Sequence, residues 1–246
     1  MTTKIFAHRG VRKHFPENTM PAFKAADAMG LDGIELDVQR TSDGQLVICH
    51  DEPLQRLSGE DVWLKDLTYE ALANLNIAHY RPESPPEKVP TLCEFLDWFV
   101  ETDLIVNLEL KNTIVSYEGM EKDVLDLVDH YGLRDRVIIS SFSLESMILM
   151  KEMAPDIDVG FLYQRLLPCA AKTVMKHGLD AIHPIYFNQL RPWLTSHAHR
   201  KGLKVRLWTV DRPLFIWNAI WRHVDTIITD EPELALRLRD VHSPSS

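Results

Sequence analysis

The chain has 246 residues, 45% of them hydrophobic and 26% charged, with a formal net charge of −9. That length suits one large α/β domain or two small ones and can bury a core without metal or disulfide staples. The acidic balance argues against non-specific nucleic-acid binding and against adhesion to anionic membrane, since both need basic surface. Cys49, Cys93 and Cys169 are widely spaced and form no C-x-x-C, which disfavours a disulfide framework or a zinc site and fits a reduced, cytoplasmic setting.

Short β-branched runs alternate with amphipathic stretches along the chain. Met1–Lys4 leads directly into the first strand, "KIFAH", so no signal peptide is expected. "GIELDV" and "LVICH" follow, joined by Thr41–Gln45 with its Asp43-Gly44 dipeptide, a tight-turn signal that makes the pair antiparallel. Asp51–Pro90 breaks the rhythm with a short helix near Thr68–Leu75 and the proline-rich "RPESPPEKVP". It reads as an insertion capping the C-terminal face; the plainer alternative is a long surface loop. The apolar run "LCEFLDWFVETDLIVNLEL" is broken by Glu94, Asp97, Glu101 and Asp103 and cannot span a bilayer as a helix, so no stable membrane insertion is expected. Strands then recur at "LIVNLEL", "RVIISS", "IDVGFL", "DAIHP", "KVRLWTV" and "DTIITD".

Between the strands lie recognisable helix signals. Thr91 and Glu94 form a capping box, Ser143, Asp211 and Asp230 suit N-caps, and Gly30, Gly132, Gly178 and Gly202 suit helix ends. Setting the hairpin strand aside, eight strand–helix units remain. The expectation is a single domain over residues 1–246, an α/β (β/α)8 TIM barrel with a cap insertion at about 51–90. No G-x-G-x-x-G or P-loop follows any strand, which weighs against a nucleotide-binding sheet.

Charge collects at strand ends. Residues two apart on a strand share a face, so Glu35 and Asp37 point together, as do Asn107, Glu109 and Lys111. His8 ends the first strand and His50 the hairpin strand. In a barrel these positions lie at the catalytic mouth. Two unit charges about 4 Å apart repel by roughly 4 kcal/mol at an effective dielectric near 20, so three carboxylates there need a proton, a cation or a basic partner. Oxygen donors without cysteine favour a hard divalent ion, Mg²⁺ or Ca²⁺; ion pairing of Glu35 or Glu109 with Arg9 or Lys111 is the alternative, and the two can coexist. Strand-end histidines suit general acid–base work, although singly such residues are often satisfied core groups. His183 at the end of "DAIHP" is a candidate pocket-lining residue, whereas His197 and His199 read as surface.

The order His8-Arg9-Gly10, Pro16-Glu17-Asn18-Thr19, Glu35-Leu36-Asp37, His50-Asp51, Val89-Pro90-Thr91-Leu92, Glu109-Leu110-Lys111, Ser141-Phe142, Trp208-Thr209-Val210 and Thr229-Asp230-Glu231-Pro232 resembles the glycerophosphodiester phosphodiesterases of the phospholipase-C-like superfamily. The resemblance runs along nearly the whole chain. It implies His8 and His50 as acid and base, with His8 preferred as the base, and Arg9 and Lys111 as phosphate-binding groups. It implies Glu35, Asp37 and Glu109 as ligands of one divalent cation, and Glu17 as a loop-positioning acid near the substrate. Phe142 and Trp208 read as apolar pocket walls or ordinary barrel core. Gly10 would let the backbone turn beside the anion. The implied reaction releases sn-glycerol 3-phosphate and an alcohol from a small-molecule glycerophosphodiester, through a cyclic phosphate. The loop "VRKHF", the cap and "HPIYFNQLRPW" would set the alcohol preference. A phospholipase-type activity on lysophospholipids or phosphoinositides, and a barrel that binds phosphate esters without turnover, are the alternatives.

Overall fold

The computed structural model describes residues 2–167 and 170–242. The elements alternate as β1 (Lys4–His8), α1 (Met20–Ala28), β2 (Gly33–Arg40), β3 (Leu46–Ile48), α2 (Gln55–Ser58), α3 (Tyr69–Ala73), α4 (Leu92–Phe99), β4 (Ile105–Leu110), α5 (Met120–His130), β5 (Val137–Ser141) and α6 (Leu144–Met153). They continue as β6 (Asp158–Tyr163), α7 (Ala170–Lys176), β7 (Ala181–Pro184), α8 (Leu194–His199), β8 (Lys204–Leu207), α9 (Pro213–Trp221), β9 (Thr226–Thr229) and α10 (Pro232–His242). Short 3₁₀ turns lie at Leu64–Asp66 and Tyr186–Leu190.

Eight strands pair in parallel, and β1 closes the ring by pairing with both β2 and β9. This is the (β/α)8 barrel expected from the eight repeated units. The hairpin strand β3 stays outside it, running antiparallel to the far end of β2 with Val38 opposite Ile48. Buried apolar side chains on the outward face of the strands pack beneath the helices, and this layer holds most of the core. Inside the barrel Phe6, Ile138 and Ile228 fill one side, with Ile105 and Trp208 against them.

The other side of the barrel interior is polar. Arg206, 2% exposed, donates to Asp158 at 2.5 Å and to Nε2 of His183 at 3.0 Å. Burial first, and then the charge of Arg206, holds the His183 imidazole well below its usual pKa and therefore neutral. His183 is thus a barrel-core residue and not part of the pocket wall suggested by its strand-end position.

Thr91 and Ser143 cap α4 and α6 as expected, each accepting from the backbone N–H three residues on. Asp211 and Asp230 do not act as caps. The Asp211 carboxylate instead accepts from the Asp230 N–H at 2.8 Å and the Thr229 hydroxyl at 3.1 Å, and Asp230 turns to His8. The competing partners come from other strands, which no local pattern reveals. Cys49 and Cys93 are free thiols, and Cys169 lies outside the described residues. Among the described residues no helix is long and apolar enough to cross a membrane.

Residues 51–90 gather their own apolar cluster from Leu54, Leu57, Leu64, Leu72 and Ile77, packed with Val47, Cys49 and Val89. Three arginine bonds tie the segment to the β1–α1 loop: Arg81 donates to the backbone oxygens of Arg12 at 2.7 Å, Phe15 at 2.8 Å and Lys13 at 3.2 Å.

Gly160 faces the polar side of the barrel, where a Cβ would stand 2.1 Å from His183 Nε2. Gly160→Ala is expected to destabilise the fold by about 1–3 kcal/mol through overpacking, read as a lower urea midpoint at unchanged slope.

Candidate active site

Strand register builds the centre of the site. The parallel pairings set His8 beside Glu35, Glu35 beside Asn107, and Asp37 beside Glu109. Because alternate residues face inward, Glu35, Asp37 and Glu109 project into one mouth from neighbouring strands. Their carboxylates each offer an oxygen within 4.8 Å of the others.

The two candidate histidines reach this mouth by different routes. His8 ends β1 directly. His50 arrives through the hairpin: the Cys49 N–H donates to the Asp37 carbonyl at 2.9 Å, laying the strand end against β2. Buried Gln39 then clamps the loop, its Nε2 donating to the carbonyls of Cys49 at 2.9 Å and Asp51 at 3.1 Å, one on each side of His50. The Tyr117 hydroxyl in turn donates to Gln39 Oε1 at 3.0 Å.

Each imidazole is held through Nδ1 by a carboxylate. His8 Nδ1 lies 2.8 Å from Asp230 Oδ1, and His50 Nδ1 lies 2.6 Å from Asp51 Oδ1. A carboxylate on one ring nitrogen fixes ring orientation and makes it the protonated position, leaving Nε2 to exchange protons with a ligand. His8 Nε2 stands 3.9 Å from Glu35. Burial would raise the Asp230 carboxyl, but the His8 hydrogen bond and charge outweigh it and hold it below its usual range.

Behind the histidines lies a layer of guanidinium groups around Glu17, which is 1% exposed. Arg9 donates to it at 2.8 Å, Arg56 at 2.6 and 3.1 Å, and Arg12 lies 3.1 Å away. Arg56 also donates to Asp51 at 2.6 and 3.0 Å, so Glu17 and the His50–Asp51 pair share one support. Burial pushes the Glu17 carboxyl up, and the hydrogen bond from Arg56 with the charges of Arg9 and Arg12 overturns that and leaves it ionised. The Glu17 backbone N–H donates to the Tyr80 hydroxyl at 2.9 Å, a further tie to the 51–90 segment.

The Arg9 backbone takes the left-handed conformation at φ 57°. Its N–H donates to the carbonyl of Glu35 at 2.9 Å and to the Glu35 carboxylate at 3.1 Å, and its carbonyl accepts from Asn18 at 3.0 Å. Such a backbone costs on the order of 1–3 kcal/mol and persists only where its surroundings over-determine it. Gly10 follows at φ 76°, and a Cβ there would sit 2.8 Å from the backbone of Ala22. Close packing against α1, together with the turn, is what requires this glycine.

Charge is unevenly matched at the mouth. Asp37 has Arg9 at 3.3 Å, Lys111 at 3.7 Å and Asn18 donating at 2.9 Å. Burial favours its neutral form, but these two cations prevail and hold Asp37 ionised, well below the usual range. Glu109 has Lys111 at 3.1 Å, yet burial leaves its carboxyl raised. Glu35 fares worst: burial, then the charges of Asp37 and Glu109, push its carboxyl well above the usual range. The triad therefore has fewer compensating charges than carboxylates. A hard divalent cation fits such a set of oxygen donors.

A cavity of about 520 Å³ opens over this cluster. His8, Arg9, His50, Glu109, Lys111, Phe142 and Trp208 all line it, so seven of the ten residues singled out in the sequence meet in one wall. Glu35 and Asp37 lie just beneath, in contact with His8, Arg9 and Lys111. Glu17 stands back, touching Arg9 and not the cavity. Phe142 packs edge-on against Trp208 at 5.3 Å, and the Trp208 indole donates to the His183 carbonyl at 2.7 Å. The structure also brings to the site residues to which the sequence reading gave no role there. Asp230 and Asp51 orient the histidines, Gln39 and Arg56 brace them, and Glu52 lines the cavity with a buried oxygen that has no partner. The H-D dipeptide and the Thr229-Asp230-Glu231-Pro232 motif were the local signals for Asp51 and Asp230, and Gln39, Arg56 and Glu52 had none.

A model of the glycerophosphoryl diester phosphodiesterase family matches residues 8–234. A glycerophosphodiester phosphodiesterase of Caldanaerobacter subterraneus subsp. tengcongensis is 40% identical over 239 residues, covering 97% of this chain and 98% of that one. Another, from Bacillus altitudinis, is 36% identical over 244 residues, 97% of this chain and 98% of its own length. The crystal structure of glycerophosphodiester phosphodiesterase from Agrobacterium tumefaciens superposes with a TM-score of 0.83 at 26% identity, covering 96% of this chain and 99% of that one.

The clamp on His50 can be tested apart from chemistry. Gln39→Leu strips the Cys49 and Asp51 carbonyls and the Tyr117 hydroxyl of a partner, and is expected to cost about 1–3 kcal/mol in chemical denaturation.

Proposed function

The chain belongs to the glycerophosphoryl diester phosphodiesterase family, and from that premise we propose how its own residues hydrolyse a glycerophosphodiester to sn-glycerol 3-phosphate and an alcohol. The observation that carries the reading is the pair of carboxylate-anchored imidazoles, His8–Asp230 and His50–Asp51, on one cavity with three buried acids beneath. Glu35, Asp37 and Glu109 would hold a divalent cation, Mg²⁺ or Ca²⁺. When bound, it supplies charge neutralisation at the phosphoryl group and a lowered pKa for an adjacent hydroxyl.

The remaining chemistry belongs to the side chains. Arg9 and Lys111 line the cavity and would hold the non-bridging phosphoryl oxygens, where negative charge grows in the transition state. His8 Nε2 would take the proton of the glycerol 2-hydroxyl as its oxygen bonds to phosphorus. His50 Nε2 would give a proton to the departing alkoxide as the second P–O bond breaks. The product of this half is a cyclic phosphate and a free alcohol. Water then opens the ring with the proton roles reversed, restoring both imidazoles. Asp230 and Asp51 keep each Nδ1–H engaged throughout, so each ring presents the same nitrogen before and after transfer. Phe142 and Trp208 would give the cavity its apolar wall, and the 51–90 segment would cap the mouth while its arginines keep the β1–α1 loop in place.

His8→Ala and His50→Ala are each expected to lower kcat by about 10²–10⁴-fold. Asp230→Asn should lower kcat by about 10²-fold or more with a small change in KM, because the ring is kept but its orienting charge is lost. Coupled assay of released glycerol phosphate over pH 5–9 checks both, and near-normal turnover in either histidine variant would overturn the acid–base pair. Excess EDTA is expected to abolish turnover, and added Mg²⁺ or Ca²⁺ to restore it. Full activity in chelator would remove the cation from the account.

A further inference from the structure

The charge of this chain is segregated. Residues 164–223 contain ten Lys or Arg and only two acids, Asp180 and Asp211, in a chain whose net charge is −9. This quarter of the chain therefore carries a formal surplus of eight positive charges, although Arg206 lies inside the barrel and Lys204 pairs with Asp158, and the remainder of the chain is strongly acidic. The whole-chain balance that argues against anionic surfaces does not describe this flank of the barrel.

The same stretch exposes large apolar side chains. Leu190 is 68% exposed, Trp193 61%, Leu214 71% and Trp221 59%, and Trp217 is also exposed. Leu214, Trp217 and Trp221 follow i, i+3, i+7 spacing and so share the outer face of α9. The rings of Trp217 and Trp221 stack at 6.2 Å with 9° between planes, and the Arg222 guanidinium lies 5.8 Å from the Trp221 ring. Arg222 also donates to the Pro192 carbonyl at 2.6 Å, which joins α9 to the Leu190–Trp193 segment. Arg191, next to Leu190, donates to the carbonyl of Leu167, a residue of the cavity rim. The Arg191 and Arg222 bonds thus link the rim of the site, the Leu190–Trp193 segment and α9.

We propose that this face docks the enzyme on the surface of an anionic lipid bilayer. Indole rings combine an apolar body with an N–H that tolerates the wet headgroup layer, and exposed leucines beside them enter the acyl boundary. Arginine stems lie along apolar surface while their heads reach lipid phosphates. Each basic residue near an anionic leaflet strengthens partitioning by about fivefold. The acidic remainder of the chain is repelled by the same leaflet, which fixes one orientation. The association is peripheral, consistent with the absence of a spanning helix among the described residues. It concerns a surface outside the catalytic cluster and does not depend on the reaction proposed for that cluster.

The test uses the intact protein and sedimentation with vesicles of phosphatidylcholine alone or with about one third phosphatidylglycerol, at low and high salt. Binding is expected only to the anionic vesicles, reversed by about 0.5 M salt. Trp193→Ser with Trp221→Ser, and separately Arg200→Glu with Arg212→Glu at the exposed arginines that end α8 and start α9, should each weaken it at least about tenfold. Turnover of a soluble glycerophosphodiester by both double variants should match the parent, showing that they fold. Absence of binding, equal binding to both vesicles, or undiminished binding by the double variants would overturn the proposal. So would a concentration-dependent dimer in sedimentation velocity that Trp193→Ser with Trp221→Ser abolishes, since the face would then be covered by a second copy of the chain.

Discussion

Three carboxylates brought side by side by parallel strand pairing govern the rest of the site. Asp37 stands beside Glu109 in register, and Glu35 lies two residues before Asp37 on the same inward face. Without compensation, charges about 4 Å apart at this depth repel by several kcal/mol. The chain answers with two internal cations, Arg9 and Lys111, and the left-handed turn at Arg9 exists to bring that guanidinium and its backbone N–H to the acids. What Arg9 and Lys111 leave unbalanced is the affinity a divalent ion would meet.

The second shared constraint is the anchoring of the imidazoles. An unrestrained strand-end histidine loses rotamer entropy whenever it must face a ligand, and a carboxylate on Nδ1 removes that loss in advance. Here both anchors are themselves braced: Asp51 by Arg56, and Asp230 through its own backbone N–H by Asp211. Glu17, tied to Arg9, Arg12 and Arg56 together, makes the β1–α1 loop and the 51–90 segment one polar unit beside the mouth.

Much of this was legible in the chain because it is written in short-range code. Short β-branched and apolar runs located the nine strands to within a few residues, Asp43-Gly44 marked the hairpin, and the H-R-G, E-L-D, H-D and E-L-K groups marked strand ends that converge in a barrel. What escaped was long-range pairing. Asp211 and Asp230 each look like a helix cap from their neighbours, and only the closure of β9 against β1 reveals their other partners. His183 has the same strand-end position as His8, yet it lies over Gly160 and beside Arg206, two residues from other strands that turn it into buried structure. Gln39 gave no signal, since a glutamine inside an apolar run is read as an outward-facing residue until β3 folds back over it. The basic flank was hidden for a different reason: a whole-chain sum averages away a local surplus.

The bond between His8 and Asp230 joins positions 222 residues apart. On the ribosome His8 emerges 222 residues ahead of Asp230. Every intermediate length therefore carries an unanchored imidazole in a barrel still missing its closing strand. The anchor on which the proposed proton transfer relies therefore forms only when β9 closes against β1, so one pairing event completes both the barrel and the proposed acid–base pair.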